Sequence, residues 1–153
     1  MTAPNHALTG ALIGLTIGNP WLALPLAVLS HFICDVVPHY DPPEPDGPIR
    51  FRSAGFIRDF LIIGAGLCFV IVLCLALTRP QHWLMAAICS FLATGPDLLW
   101  IPRFVHALRG GKERPLNWFL RFHLFIQWKT GPKLLWVELA WFVVFGGLVA
   151  VRL

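Results

Sequence analysis

Residues 20–39 read PWLALPLAVLSHFICDVVPH, an apolar run that acquires Ser30, His31, Asp35 and His39 only at its far end. The stretch before it, 7–18 (ALTGALIGLTIG), is apolar as well but short of the roughly 20 residues that a helix needs to cross a bilayer alone. Asn19-Pro20 turns the chain between the two, and Pro20 suits the first turn of a following helix because its missing N–H is not needed there. Gly10, Gly14 and Gly18 recur four apart on one helical face, which allows a neighbouring helix to approach closely. The pattern predicts a tight helical hairpin over 5–37, either re-entrant or built from short spans.

Moving outward, 38–52 (PHYDPPEPDGPIRFR) is dense in proline and charge and reads as a loop. Residues 54–78 read as a span closed by Arg79-Pro80, and 82–101 as another, interrupted by Gly95-Pro96 just before Asp97. Residues 102–114 read as a basic loop. In 116–128 (LNWFLRFHLFIQW) aromatic, basic and polar positions alternate, as an interfacial or half-buried helix requires. Gly131-Pro132 leads into the last span, 133–151, with Trp136 and Trp141 near its start. The expectation is an all-α, polytopic membrane bundle of about four spans with an N-terminal hairpin, residues 1–153 forming one integral membrane domain.

Composition agrees. Of 153 residues, 57% are hydrophobic and 13% charged, against about 25% charged in soluble domains. Mean hydropathy is +0.69. The net charge of +4 is not gathered into a basic run among solvated polar residues, so no nucleic acid is expected as a partner. Cys34, Cys68, Cys74 and Cys89 lie in apolar stretches without Cys-x-x-Cys spacing and read as small hydrophobes. The first Lys or Arg is Arg50, so the first apolar stretch lacks the basic start of a signal peptide and is expected to stay in the mature protein. Arg50, Arg52 and Arg58 flank one end of the third segment, and Arg103, Arg109, Lys112 and Arg114 follow the fourth. The positive-inside rule then places 38–52 and 102–114 in the cytoplasm, which predicts a multi-pass protein of the cell inner membrane.

That topology has a chemical consequence. His6, His31, Asp35, His39, Asp59, Asp97 and His123, scattered along the chain, all fall toward one membrane face. His31 and Asp35 are four apart, so one helical face presents both, about 6 Å apart along the axis. This is how one helix offers two ligands to one metal. His39 follows Pro38, where the helix must end, and its ring can fold back toward the same ion. His123 and Gln127 repeat the four-residue spacing. Ionisable groups deep in a bilayer cost about 2.5–3.5 kcal/mol each unless satisfied, and a bound cation would satisfy them. An imidazole and carboxylate set suits a divalent ion, zinc first, or manganese or iron where carboxylates dominate.

Plainer readings stand beside these. His31 and Asp35 can pair with each other, Asp97 after Gly-Pro can cap a continuing helix, and Asp59 beside Arg58 can be an interfacial charge. His82 and His106 read as interface residues. Glu138, inside the last span, either meets a basic residue such as Arg121 or supplies a catalytic carboxylate.

The segments Asn5-His6-Ala7-Leu8-Thr9-Gly10, Ser30-His31-Phe32-x-x-Asp35-x-x-Pro38-His39 and Pro96-Asp97 resemble the membrane-bound metal-dependent hydrolases of bacteria, the family of the LexA-regulated inner-membrane hydrolase. The chain is more distantly similar to the zinc-dependent phospholipase C and nuclease group. It also looks similar to small bacterial membrane proteins at Phe122-His123-x-x-Ile126-Gln127 and Glu138-x-x-Trp141. The hydrolase family's His-Arg-Gly-x-Thr-His-Ser block is absent, and His123 would have to take its place. The resemblance implies a phosphoester substrate such as a lipid phosphate.

The expectation is a metal site at the cytoplasmic face with His31, Asp35, His39 and Asp97 as ligands, His6 and His123 joining it or forming a second site. Asp59 or Glu138 would act as general base, and Arg50, Arg52 or Arg103 would hold an anionic headgroup. The rival is a non-enzymatic membrane scaffold or partner subunit whose polar residues satisfy one another. A transporter, which needs polar groups near the midplane, ranks behind both.

Overall fold

The computed structural model describes residues 1–40, 51–78, 81–109, 111 and 115–152, with the side chains of 51–61, 104, 107 and 108 outside the described set. Every named element among the described residues is helical: α1 Ala3–Thr16, α2 Pro20–Val36, α3 Phe51–Thr78, α4 Trp83–Leu98, α5 Ile101–Leu108, α6 Trp118–Ile126, a 3₁₀ turn Pro132–Leu134, and α7 Leu135–Arg152. One helical stretch, Pro132–Arg152, is long and apolar enough to cross a membrane. Pro20–Val36, Ile62–Thr78 and Trp83–Leu98 are apolar and shorter.

The N-terminal hairpin forms as its residues dictate. Pro4 opens α1 in its first turn, where a missing N–H costs nothing. Asn19 caps α2, its Oδ1 accepting from the Trp21 N–H at 3.0 Å with Pro20 in the first turn. α1 is the central helix, packed against α2, α3, α4 and α7. Its contact with α4 is backbone-close. A Cβ on Gly10 would lie 2.8 Å from the Ser90 Cα, and one on Gly14 would lie 2.6 Å from the Ala86 Cα. Facing these glycines, α4 presents Ala86, Cys89, Ser90 and Ala93, all buried. The Ser90 hydroxyl lies 2.9 Å from the Ala7 carbonyl across the contact and 2.8 Å from the Ala86 carbonyl of its own helix. Gly18 does not share in this packing. It lies beyond the end of α1, with nothing within 4 Å of its Cβ position.

Around this contact sit two apolar clusters. One joins Leu8 and Ala11 to Leu75, Ala86 and Val149; the other joins Ala23 and Ala27 to Cys89.

Two expectations are corrected. Gly95-Pro96 does not interrupt α4, which continues to Leu98 and closes with tight turns from Leu99 N–H to the Pro96 carbonyl and from Trp100 N–H to the Asp97 carbonyl. A helical proline forfeits one backbone bond, and α4 carries Pro96 in its last turn. The basic segment 102–114 opens as a helix, not a loop. Pro102 falls in the first turn of α5, where it is tolerated.

Of the loop read over 38–52, residues 41–50 lie outside the described residues. Its start is fixed: His39 N–H donates to the Lys129 carbonyl and Gly131 N–H donates to the His39 carbonyl. This parallel bridge between His39 and Thr130 ties the exit of α2 to the entry of α7.

Candidate metal centre

α1 begins, and α2 and α4 end, at the same end of the bundle, which brings His6, His31, Asp35 and Asp97 together. α6 packs against α2 and contributes His123. The side chains of His6, His31 and His123 are 0% exposed and Asp35 is 1% exposed. Asp97, at 35%, is the member of the group that looks outward.

Asp35 is the hub. Its Oδ2 lies 2.7 Å from His123 Nε2, 3.3 Å from His31 Nε2 and 2.9 Å from Gln127 Nε2. Its Oδ1 lies 3.1 Å from His6 Nε2 and also meets the Met1 ammonium. The Asp97 Oδ1 stands 3.8 Å from both His31 Nε2 and His123 Nε2, and those two nitrogens are 3.1 Å apart. Ligand atoms of His31, Asp35, Asp97 and His123 all lie within 4.8 Å of one another, so this group could hold a metal ion. Atoms each about 2.0–2.2 Å from a tetrahedral ion lie about 3.3–3.6 Å apart. Five of the six separations among the four, 2.7–3.8 Å, scatter around that length. The 3.8 Å gaps to Asp97 are too long for hydrogen bonds and fit two ligands sharing an ion.

Hydrogen bonds behind the ligands set the protons. His31 Nδ1–H donates to the Ala93 carbonyl at 2.8 Å, which leaves Nε2 of the neutral ring with a bare lone pair facing the centre. His123 is set the opposite way. Its Nδ1 accepts from the Trp100 indole N–H at 3.1 Å, and indole is donor only, so the neutral ring carries its proton on Nε2 and gives it to Asp35. A cation at His123 Nε2 therefore has to expel that proton and break the bond to Trp100. His6 has neither arrangement. It stacks on His31 with ring centroids 4.2 Å apart, and neither of its nitrogens has a hydrogen bond of proper geometry.

The remaining site residues divide as follows. His39 is buried but outside the four-residue group; its Nδ1–H donates to the Val37 carbonyl at 2.7 Å, and burial pushes its imidazole below the ordinary value. Glu138 does not meet Arg121, whose Nε–H donates to the Leu116 carbonyl. It accepts from the Thr2 N–H and hydroxyl and from the Asn5 amide, with Thr2 Oγ1 and Asn5 Nδ2 both at 2.6 Å, and so holds α1 to α7. Arg103 lies part-buried in the first turn of α5. Arg50 lies outside the described residues, as do the side chains of Arg52 and Asp59 in α3.

Sequence reasoning missed Trp100 and the Ala93 carbonyl as partners of the histidines. Trp100 stands three residues after Asp97, a spacing that puts both on one side of a helix end, and that was the available signal. Comparisons with family models, curated proteins and solved structures give no match, so nothing beyond the resemblance in the motifs points to a family.

Proposed function

We propose that the chain is a multi-pass protein of the inner membrane that binds a divalent cation at the cytoplasmic end of its bundle and hydrolyses a phosphoester, with a lipid phosphate as the natural form at that location. One observation carries the reading: α2, α4 and α6 converge on a nearly dry cluster of two imidazoles and two carboxylates at ligand spacing, in which Asp97 is the partly exposed member. Asp97 faces both imidazoles at 3.8 Å, beyond hydrogen-bond range of either.

The membrane part rests on the outer surface. Trp21, Leu77, Trp118, Phe125, Val143 and Val151 are all more than two-thirds exposed, a surface that water does not tolerate and lipid does. α2, α3 and α4 accompany the long apolar α7, which supports several spans.

A cation held there would lower the pKa of a bound water and polarise the phosphoryl oxygens. Of the chain's own residues, His31 offers its lone pair, Asp35 orients His123 and Gln127, and Asp97 faces the entrance. Glu138, tied to Thr2 and Asn5, serves the scaffold, and the general base falls to Asp59. Zinc suits the mixed nitrogen and oxygen set, with manganese or iron as alternatives. Arg50, Arg52 and Arg103 are the cations available for an anionic headgroup.

The network around Asp35 Oδ2 also favours a second reading, a scaffold whose polar groups satisfy one another. Purified protein assayed against a chromogenic phosphodiester and a lipid phosphate separates the two. Hydrolysis that disappears on chelation, returns with zinc or manganese, and is absent in His31→Ala supports the hydrolase. Metal-free protein that is inactive and unchanged by chelation supports the scaffold.

A further inference from the structure

The two oxygens of Asp35 serve two different sets of groups. Oδ2 faces His31, His123 and Gln127; Oδ1 faces His6, 3.1 Å away, and the Met1 ammonium. His6 is the anomaly of the site. Its ring is wholly buried, yet Nδ1 and Nε2 both lack a hydrogen-bond partner, and the neighbouring Asn5 Oδ1 is also buried without one. Orphaned polar atoms this deep are rare and call for an ion or a water. Nε2 and Asp35 Oδ1 stand 3.1 Å apart without a hydrogen bond of proper geometry between them. Two atoms at that separation share a cation about 2.1 Å from each with an angle near 90°.

We propose that the site is dinuclear: a second divalent cation binds His6 Nε2 and Asp35 Oδ1, and the Asp35 carboxylate bridges it to the ion at His31, Asp97 and His123. This rests on the metal reading above and deepens it. The Met1 ammonium on the same oxygen shows that this side of Asp35 takes a positive group, which the second ion replaces. With few protein ligands, that ion keeps coordination positions for water or for oxygens of the substrate. Paired ions about 3.5–4 Å apart clamp the attacking and leaving oxygens of an in-line displacement, so the second ion suits the phosphoester reading.

The test uses full-length protein in detergent, stripped with a chelator and loaded with Mn²⁺ alone. Bound metal is counted by elemental analysis and its electron paramagnetic resonance spectrum recorded. Two Mn²⁺ per chain with an exchange-coupled spectrum are expected, falling to one with an uncoupled six-line spectrum in His6→Ala and in the more conservative His6→Gln. The wild-type spectrum alone decides the matter if the variants do not fold. One Mn²⁺ at saturation, or two without coupling, overturns the bridged pair and leaves the single site standing. No bound Mn²⁺ overturns the metal reading itself and the second ion with it.

Discussion

At the residue scale the account turns on where protons sit. Trp100 holds the His123 proton on Nε2, the atom a cation needs. Trp100→Phe removes that constraint and lets the ring change tautomer. A net hydrogen bond is worth about 0.5–1.5 kcal/mol, so metal affinity is expected to rise about 2- to 12-fold, measured by competition with a chromophoric chelator. An unchanged or weaker affinity would show that His123 binds metal without losing Trp100. Glu138→Gln separates scaffold from chemistry. Loss of charge-assisted bonds to Thr2 and Asn5 is expected to cost about 1.5–3 kcal/mol of stability with metal stoichiometry unchanged. A variant as stable as wild type but inactive would make Glu138 catalytic.

His39 gives a pH dependence. Burial holds its imidazole below its ordinary 6.5, so the folded state disfavours the proton that the unfolded chain accepts. Its contribution to stability is complete above pH 6.5 and is lost as pH falls below that value. In thermal melts, His39→Gln is expected to lose less stability than wild type on acidification from pH 7 to 5. Equal losses would mean that other histidines carry the effect.

The residue patterns were partly legible in the sequence. His31 and Asp35 could be paired because a four-residue spacing is a property of any helix, and His123 with Gln127 by the same rule. Both reach one centre. The partners of Glu138 and the role of His39 were not legible, since each depends on which helix lies alongside. Glu138 meets Thr2 at the start of α1, 136 residues away in sequence, and neither a basic residue such as Arg121 nor a catalytic role in the pattern points there.

At the element scale the α1–α4 contact is what positions the centre, because His6 and Asp97 ride on those helices. Gly10 and Gly14 meet the backbone of α4, which has no rotamer to yield. Either Gly10→Ala or Gly14→Ala is expected to destabilise by about 1–3 kcal/mol through overpacking. Gly18→Ala, in open space, is expected to be silent. Chemical denaturation in mild detergent checks the ordering, and a damaging Gly18→Ala would contradict the packing described. The four-residue glycine spacing was readable in advance, but not that only the first two would be used. A helix end is set by capping and by the neighbour, and α1 stops at Thr16. The helical start of 102–114 was hidden by its basic composition, although Pro102 is a residue that opens helices as readily as it breaks them.

At the scale of the whole molecule, an apolar outer surface encloses a polar end. In most soluble proteins a polar surface encloses an apolar interior. The all-helical class and the apolar outer face were legible in the long apolar segments and the low charge content, while among the described residues one helix, Pro132–Arg152, is long and apolar enough to cross a membrane. The gathering of distant imidazoles also followed from topology, since helices that alternate in direction return every second end to the same side. Their relative distances did not, for a sequence records no crossing angles.

The most direct measurement is an anomalous difference map from crystals of the protein soaked in zinc. A peak about 2.0–2.2 Å from His31 Nε2, with Asp35 Oδ2 and Asp97 Oδ1 among its neighbours, is the predicted result. A map empty at that position, with His123 still donating to Asp35 and Asp97 turned to solvent, would contradict it.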